Sequence, residues 1–288
     1  MRNYTVCIIA VLGMALNLIL SFSAVHAQAG PAPVLDFDAL KTDQKGGDKA
    51  WRNAGTAGGE VERTGNPKLE EGFIEIPAIR FKQDTKWYTA EKSGSTFSNA
   101  APGGDVPIVN LEDFTMGLLL RINGGLIREE HHLVGLQANP REQVQNVRIW
   151  LDQNGGGFQN VSIAQGAIGA RADLRVGQTQ MTFDQGKWHW VHLVFRSGDS
   201  LTCYINGEKV SESRTTVKWN KKHDMSLHAI FSHSRPEAHR TCNCSISVYR
   251  VYDRALSDAE IEQDVHGSFA VDPTGKLATT WGKLKRRF

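Results

Sequence analysis

The stretch that decides the fold runs from residue 186 to residue 207 and reads GKWHWVHLVFRSGDSLTCYING. Val191, Leu193 and Phe195 alternate with a second set, Trp190, His192 and Val194. Leu201, Cys203 and Ile205 alternate in the same way with Thr202 and Tyr204, and a period of two is typical of half-buried strands. Between these runs, Ser197–Ser200 predicts a tight turn. Asn206-Gly207 predicts a type I′ hairpin, because both residues accept a positive φ.

The same alternation recurs along the chain and predicts further strands at 34–37, 73–76, 114–122, 147–151 and 246–252. The polar, glycine-rich stretches 41–68 and 82–107 are expected to be long loops. Only one helix is indicated, by the capping box Ser257–Glu260, and it should end near Gly267. Many short strands with almost no helix predict an all-β domain of two packed antiparallel sheets, with one short helix near the C-terminal end.

Two motifs resemble those of the LamG-like jelly-roll family, within the concanavalin A-like lectin/glucanase superfamily. One is the 186–207 stretch, and the other is VYRVYDRALSDAEI at 248–261. The resemblance implies a two-sheet jelly-roll sandwich, which we place at residues 34–267, with 268–288 as a C-terminal tail. Trp188 should fill the core, and Leu256 should anchor the helix on a sheet.

Length and composition set the broad class of the protein. The chain has 288 residues, of which 40% are hydrophobic, so it is not disordered as a whole. Its net charge of +2 gives no general electrostatic reason to bind nucleic acid.

The first 27 residues resemble a secretory signal rather than part of the fold. Arg2 precedes an apolar run from Cys7 to Phe22, and the small residues before position 28 predict cleavage after Ala27. The alternative to a cleaved signal is a transmembrane anchor. The run of about 16 residues is shorter than the roughly 20 that a spanning helix needs. The mature chain is therefore expected outside the cell or in the cell envelope, without a membrane span.

Three cysteines remain in the mature chain, namely Cys203, Cys242 and Cys244. Export permits a disulfide, and the odd number leaves at least one thiol unpaired or paired with another chain. Residues two apart in a strand are separated by nearly 7 Å, at the limit of disulfide geometry. We therefore expect Cys203 to pair with Cys242 or Cys244, the alternative being that all three are reduced.

If the apolar side of each strand fills the core, the opposite faces carry residues suited to sugars. Aromatic rings stack on pyranoses, and guanidinium groups bind hydroxyls or carboxylates. The candidate ligand-binding residues are Arg121, Arg148, Trp150, Trp190, His192 and Tyr204. The alternative is that these residues pack beneath the long loops.

No motif demands a cofactor, and calcium is the one that the resemblance implies. Where the family carries Asp-Glu and a hairpin Asp, this chain has Ser247, Val248 and Asn206, which lowers the expectation because calcium prefers charged oxygen ligands. Candidate ligands near the first strand are Asp36, Asp38 and Asp48. His189 and His192 would lie on opposite faces of one strand and so cannot share a metal ion.

The superfamily includes glycoside hydrolases, which require two carboxylates a short distance apart. The close acidic pairs are Glu60-Val61-Glu62, in a stretch expected to be a loop, and those on the helix at 258–262. Neither lies on a central strand. We therefore expect a non-catalytic binding or adhesion module for a glycan or an extracellular protein. The alternatives are a hydrolase or lyase of the superfamily and a purely structural surface component.

Overall fold

The structure is a computed structural model. It describes residues 32–40, 50–65, 67–90, 96–98, 107–123, 131–138, 145–151, 160–165, 171–174, 186–231 and 242–267, and between residues 137 and 174 it describes only the backbone. The chain divides into the units Met1–Pro31 and Ala32–Phe288, and every described residue belongs to the second. No helix within the described ranges is long and apolar enough to cross a membrane.

Eight strands of the described residues form the first sheet, called sheet A. Its order is β15-β14-β13-β8-β17-β5-β4, and β1 pairs with β17 off this path. The strands are β1 (Leu35–Asp38), β4 (Lys68–Ile76), β5 (Phe81–Ala90), β8 (Phe114–Ile122), β13 (Trp188–Arg196), β14 (Ser200–Ile205), β15 (Glu208–Arg214) and β17 (Cys244–Tyr252).

Nine strands within the described ranges form the second sheet, called sheet B. Its order is β12-β11-β10-β9-β16-β6-β3-β2, and β7 pairs with β16 off this path. The strands are β2 (Ala50–Arg52), β3 (Glu60–Thr64), β6 (Thr96–Ser98), β7 (Ile108–Val109), β9 (His131–Ala138), β10 (Gln145–Leu151), β11 (Asn160–Gln165), β12 (Arg171–Leu174) and β16 (Met225–Ile230). All pairings in both sheets are antiparallel, which confirms the predicted fold class.

The period of two in the sequence becomes two chemically different faces of sheet A. Leu118 of β8 lies opposite Val191 of β13, and both belong to the main hydrophobic core, which also includes Leu136 of sheet B. The intervening residues, such as Leu119 and Trp190, point to the other side and belong to a second apolar cluster. We call that other side the outer face of sheet A.

The hairpin after β14 is the one expected. Asn206 and Gly207 have φ values of 52° and 88°, as a type I′ turn requires. The Asn206 side chain also accepts a hydrogen bond from the Trp190 backbone N–H at 3.0 Å, so it ties the turn to β13.

Both stretches expected to be long loops contain strands. Residues 41–68 include β2 and β3, so Glu60-Val61-Glu62 lies on a strand, and residues 82–107 include most of β5 and all of β6. The β4–β5 hairpin forms an edge of sheet A and has charged residues on its solvent side, such as Glu75, which forms an ion pair with Lys82 at 3.2 Å. Charged side chains in place of apolar ones weakened the period-two signal there.

The single described α-helix, α1 (Asp258–Gly267), begins and ends where the sequence indicated. The Ser257 backbone N–H donates to the Glu260 carboxylate at 2.9 Å, and the Glu260 N–H donates to the Ser257 hydroxyl at 3.4 Å, which is the reciprocal pattern of a capping box. Leu256 is fully buried beside Val194, and its N–H donates to the Thr115 hydroxyl at 2.9 Å. These contacts hold α1 on the outer face of sheet A.

Candidate functional site

Four of the six predicted ligand-binding residues lie on the outer face of sheet A. Trp190 is opposite Leu119 of β8, and His192 is opposite both Gly117 of β8 and Tyr204 of β14. Arg121 lies further along β8, opposite Trp188. The alternation therefore predicted the face correctly for these four residues.

The other two predicted residues belong to the opposite sheet. Arg148 and Trp150 lie on β10 of sheet B, where they pair with β9 and β11. Their side chains are outside the described part of the structure. The strands of the six residues are thus divided between two sheets, because the period of a strand specifies a face but not the sheet to which the strand belongs.

Three of the four residues on sheet A are covered by α1 and the segment that leads into it. Trp190 and His192 are fully buried, and their rings stack with centroids 5.3 Å apart. The Tyr204 hydroxyl donates to Asp258 at 2.7 Å. Burial, reinforced by that carboxylate, raises the pKa of Tyr204 to about 12. These side chains hold the helix on the sheet and offer no open surface to a ligand.

A buried charged network lies beneath the helix. Asp264 of α1 accepts hydrogen bonds from Arg250 Nη1 at 2.7 Å and from the Tyr252 hydroxyl at 2.7 Å. The second oxygen of Asp264 lies 2.9 Å from His192 Nε2. Arg250 Nε also donates to Asp36 at 2.9 Å. We call these five residues the Asp264 cluster, and it joins α1 to β1, β13 and β17.

The network keeps its two principal charges ionised. Burial alone would raise the pKa of Asp264, but the hydrogen bond from His192 and the charge of Arg250 hold it well below its usual value. Burial alone would lower the pKa of Arg250, but Asp264 and Asp36 outweigh that effect and hold it above its usual value. His192 Nδ1 is buried and has no partner among the described residues.

The candidate calcium ligands that the structure describes are committed to an arginine instead. Besides the bond from Arg250 to Asp36, Arg250 Nη2 lies 3.6 Å from the Asp38 carboxylate. The other Asp38 oxygen accepts the Leu40 N–H at 2.9 Å. Asp48 lies outside the described residues. Nowhere in the described ranges do three or more His, Cys, Asp or Glu side chains come together to hold a metal ion. A fixed guanidinium among these carboxylates does not fit a calcium site.

The fourth predicted residue, Arg121, is partly exposed, with 26% of its side chain accessible to solvent. Its guanidinium carbon is 5.5 Å from the ring centroid of Trp87 and 5.2 Å from that of Trp188, at cation–π distance. Arg121 Nε donates to Asn123 at 2.9 Å, and Nη2 contacts the Ser245 hydroxyl at 3.3 Å. We call these residues, together with Glu70, the Arg121 cluster.

Glu70 completes the Arg121 cluster. Its Oε2 accepts the Trp87 indole N–H at 2.7 Å and lies 4.0 Å from Arg121 Nη2. Burial lowers the pKa of Arg121, and the charge of Glu70 opposes that effect. The side chains of Arg121 and Glu70 remain 26% and 34% exposed, whereas Trp87 and Trp188 are only 7% and 4% exposed. The cluster thus presents an arginine and a glutamate to solvent above two covered indole rings.

Arg121 is the one member of this cluster that the sequence predicted as a ligand-binding residue. Trp87 falls within the stretch expected to be a loop, and Glu70 lies three residues before Phe73, where the sequence predicts the next strand to begin. Trp87 and Thr89 alternate with the apolar Tyr88, and this alternation is the sequence signal that could have predicted a strand there. Pairing of Glu70 with Trp87 in the β4–β5 register brings the two together.

The disulfide prediction was wrong. The structure joins Cys242 to Cys244, and Cys203 is free and buried. Cys242 precedes β17, so the pair is not held in fully extended backbone, and its Cα atoms are 5.4 Å apart, within the normal range. Cys203 on β14 is separated from β17 by two intervening strands, β13 and β8, a distance beyond the reach of a disulfide.

The two antiparallel sheets and the capped helix define a concanavalin A-like jelly-roll domain. The family model Laminin_G_3, which represents the concanavalin A-like lectin/glucanases superfamily, matches residues 82–262. The chain belongs to this family. None of the curated proteins matches the sequence.

Several solved structures are similar in fold. The Trypanosoma rangeli sialidase in complex with sialic acid is 14% identical with a TM-score of 0.51, over 83% of this chain and 33% of that chain. The receptor binding domain of botulinum neurotoxin C/D mosaic serotype is 15% identical with a TM-score of 0.49, over 82% of this chain and 51% of that chain. The binding domain of Paraclostridial Mosquitocidal Protein 1 is 14% identical with a TM-score of 0.49, over 83% of this chain and 53% of that chain.

The chain therefore spans about half the length of the two toxin domains and a third of the sialidase. Identities of this size establish a common fold and no more. A likeness in fold to the sialidase does not assign an activity, so the site has to decide the function of this chain.

Proposed function

We propose that the protein is an exported, non-catalytic module that binds a glycan at the Arg121 cluster. The observation that carries the proposal is the partly exposed guanidinium of Arg121, fixed above two indole rings and beside the Glu70 carboxylate. A planar donor group on a rigid aromatic support, next to an acceptor, suits the hydroxyl groups of sugars. An extracellular protein is the alternative partner, and an absence of glycan binding would favour it.

The aspartates beneath α1 support a binding role over hydrolysis. Asp36, Asp38 and Asp264 all contact the same buried arginine. Asp264 is 8% exposed, and its pKa is held well below the usual value by the hydrogen bond from His192 and the charge of Arg250, against the effect of burial. A general acid needs a raised pKa and access to substrate. These groups therefore suit a structural role.

Export is proposed from the N-terminal sequence alone. Residues 1–27 lie outside the described part of the chain, and their charge and hydropathy pattern is that of a secretory signal. Expression of the full chain in its native host, followed by N-terminal sequencing of the material outside the cytoplasm, should give a first residue of Gln28. An uncleaved Met1 terminus on cytoplasmic material would overturn this part of the proposal.

Binding is tested on a glycan array with residues 28–288, with and without calcium. We expect binding that Arg121→Gln abolishes and that Arg214→Gln leaves unchanged. Arg214 is a matched control because it is an exposed arginine of the same sheet, at the end of β15. Trp150→Ala and Trp190→Ala test the other sequence-predicted residues, and selective loss of binding in the Trp150 variant would move the site to sheet B. Absence of binding to any glycan in both conditions would overturn the proposal.

A further inference from the structure

We infer that the Arg121 cluster selects neutral glycans, by engaging two neighbouring hydroxyl groups between Arg121 Nη1 and Glu70 Oε1. This inference rests on the proposed glycan-binding function and specifies its ligand class. It follows from which atoms of the cluster are already bonded and which remain available, and from the charge that surrounds them.

The available atoms are one donor group and one acceptor. Arg121 uses Nε for Asn123 and Nη2 for Ser245, which leaves the two N–H groups of Nη1 without a partner in the described structure. Glu70 uses Oε2 for the Trp87 indole, which leaves Oε1 without one. One sugar hydroxyl can accept a hydrogen bond from Arg121 while the neighbouring hydroxyl donates one to Glu70. Two adjacent hydroxyls therefore complement both the donor and the acceptor of this pair.

Both side chains are held in position before a ligand arrives. The Arg121 guanidinium lies on two rings that contact each other, with centroids 5.5 Å apart at a steep angle, and Glu70 is held by a 2.7 Å hydrogen bond to one of those rings. Arg121 Nη2 and Glu70 Oε2 are 4.0 Å apart, close enough for the pair to act on one sugar residue. A fixed pair loses less side-chain entropy on binding than a mobile one.

The charge of the cluster disfavours an acidic ligand. Glu70 already compensates the charge of Arg121, and Asn123 and Ser245, which also bond Arg121, are neutral. A ligand carboxylate at Arg121 would lie beside the Glu70 carboxylate, and like charges this close repel in a partly buried site. Lys68 lies two residues before Glu70 on β4 and supplies a charged control position at the same end of the sheet.

The test compares neutral hexose oligosaccharides with their uronic acid counterparts on an array, using residues 28–288 and the variants Glu70→Gln, Arg121→Lys and Lys68→Gln. Glu70→Gln keeps an oxygen acceptor for the Trp87 indole, so the fold should persist. We expect the neutral probes to bind and Glu70→Gln and Arg121→Lys to weaken that binding by about tenfold, the loss typical of a hydrogen bond to a charged group. Lys68→Gln should change it less than about twofold.

The outcomes separate this inference from the proposed function. Binding to uronic acid probes alone, strengthened by Glu70→Gln, would leave a glycan-binding module but overturn its neutral selectivity. Neutral binding that neither Glu70→Gln nor Arg121→Lys weakens would place the site elsewhere and overturn the inference. An array without any bound glycan would overturn the proposed function itself.

Discussion

Replacing Asp264 by asparagine should remove the charge that holds α1 on sheet A. In the folded protein this carboxylate accepts from Arg250, Tyr252 and His192 within 2.9 Å and is almost completely buried. The amide has nearly the same shape, so the substitution changes charge and hydrogen bonding while leaving volume almost constant. Glu262→Gln is a matched control, because Glu262 lies on the same helix and is exposed.

The expected loss follows from the partners that Asp264 leaves behind. Removing one member of a buried ion pair typically costs about 3–5 kcal/mol, since the remaining charge stays buried. Arg250 retains Asp36 and a longer contact to Asp38, so we expect the lower half of that range, about 3 kcal/mol. In a domain of this size that corresponds to a fall in Tm of about 6–12 °C.

The pH dependence of this loss has a definite sign. The pKa of Asp264 is lower in the folded state than in the unfolded chain, because His192 and Arg250 outweigh burial. Its stabilising contribution is therefore fully present above the unfolded pKa of about 3.9, and it declines as the pH falls from there towards the folded value. The difference between wild type and Asp264→Asn should be smaller by about 1 kcal/mol at pH 3 than at pH 5.

Urea unfolding of residues 28–288, followed by tryptophan fluorescence at pH 7, pH 5 and pH 3, measures these differences. Tyr252→Phe, which removes one hydrogen bond to Asp264 and keeps the ring, should give an intermediate loss of about 1.5 kcal/mol at pH 7. The reasoning fails if Asp264→Asn lies within about 1 kcal/mol of Glu262→Gln at pH 7, or if the gap is the same at pH 3 as at pH 5.

Three further predictions concern the packing of α1, the β14–β15 hairpin and the cysteines. Gly117→Ala places a methyl group 3.1 Å from the His192 ring, and should lower the free energy of unfolding by about 1–3 kcal/mol in urea titrations; an unchanged value would contradict the close approach. Asn206→Ala should cost about 1–2 kcal/mol, because alanine resists the φ of 52°, and Asn206→Gly should recover part of that loss. The unreduced tryptic peptide 241–250 should be two hydrogen atoms lighter than its reduced form, and a link to the peptide of Cys203 would contradict the assigned disulfide. Since burial raises the pKa of Cys203 to about 12, iodoacetamide should label this thiol only after denaturation.

Features governed by neighbours in the sequence could be predicted from the sequence. The type I′ turn at Asn206-Gly207 depends on two residues that accept positive φ, and the capping box depends on Ser257 and Glu260 being three residues apart. The side of β8 and β13 that faces the core also followed from the period of two. In each case the decisive interaction spans a few residues, so local chemistry suffices.

Features that depend on pairing between distant strands could not be predicted in this way. Trp150 and Trp190 have the same kind of sequence environment, yet β10 lies in sheet B and β13 in sheet A. The disulfide prediction was wrong for the same reason, because the order of strands in sheet A separates Cys203 from Cys244. The separation expected for residues two apart in a strand did not apply to Cys242, because Cys242 lies outside β17.

The aromatic and charged side chains of the outer face divide into those that hold α1 and those of the candidate site. The partners that α1 supplies explain this division. Ile261, Asp264 and Val265 are three and four residues apart, so they share the buried side of the helix. An aspartate on an otherwise apolar helix face requires charged or donor partners, and Arg250 and His192 of the outer face supply them. The described part of α1 supplies no such partner to Arg121, and its Nη1, which bonds no described residue, is the atom that we propose to meet a ligand.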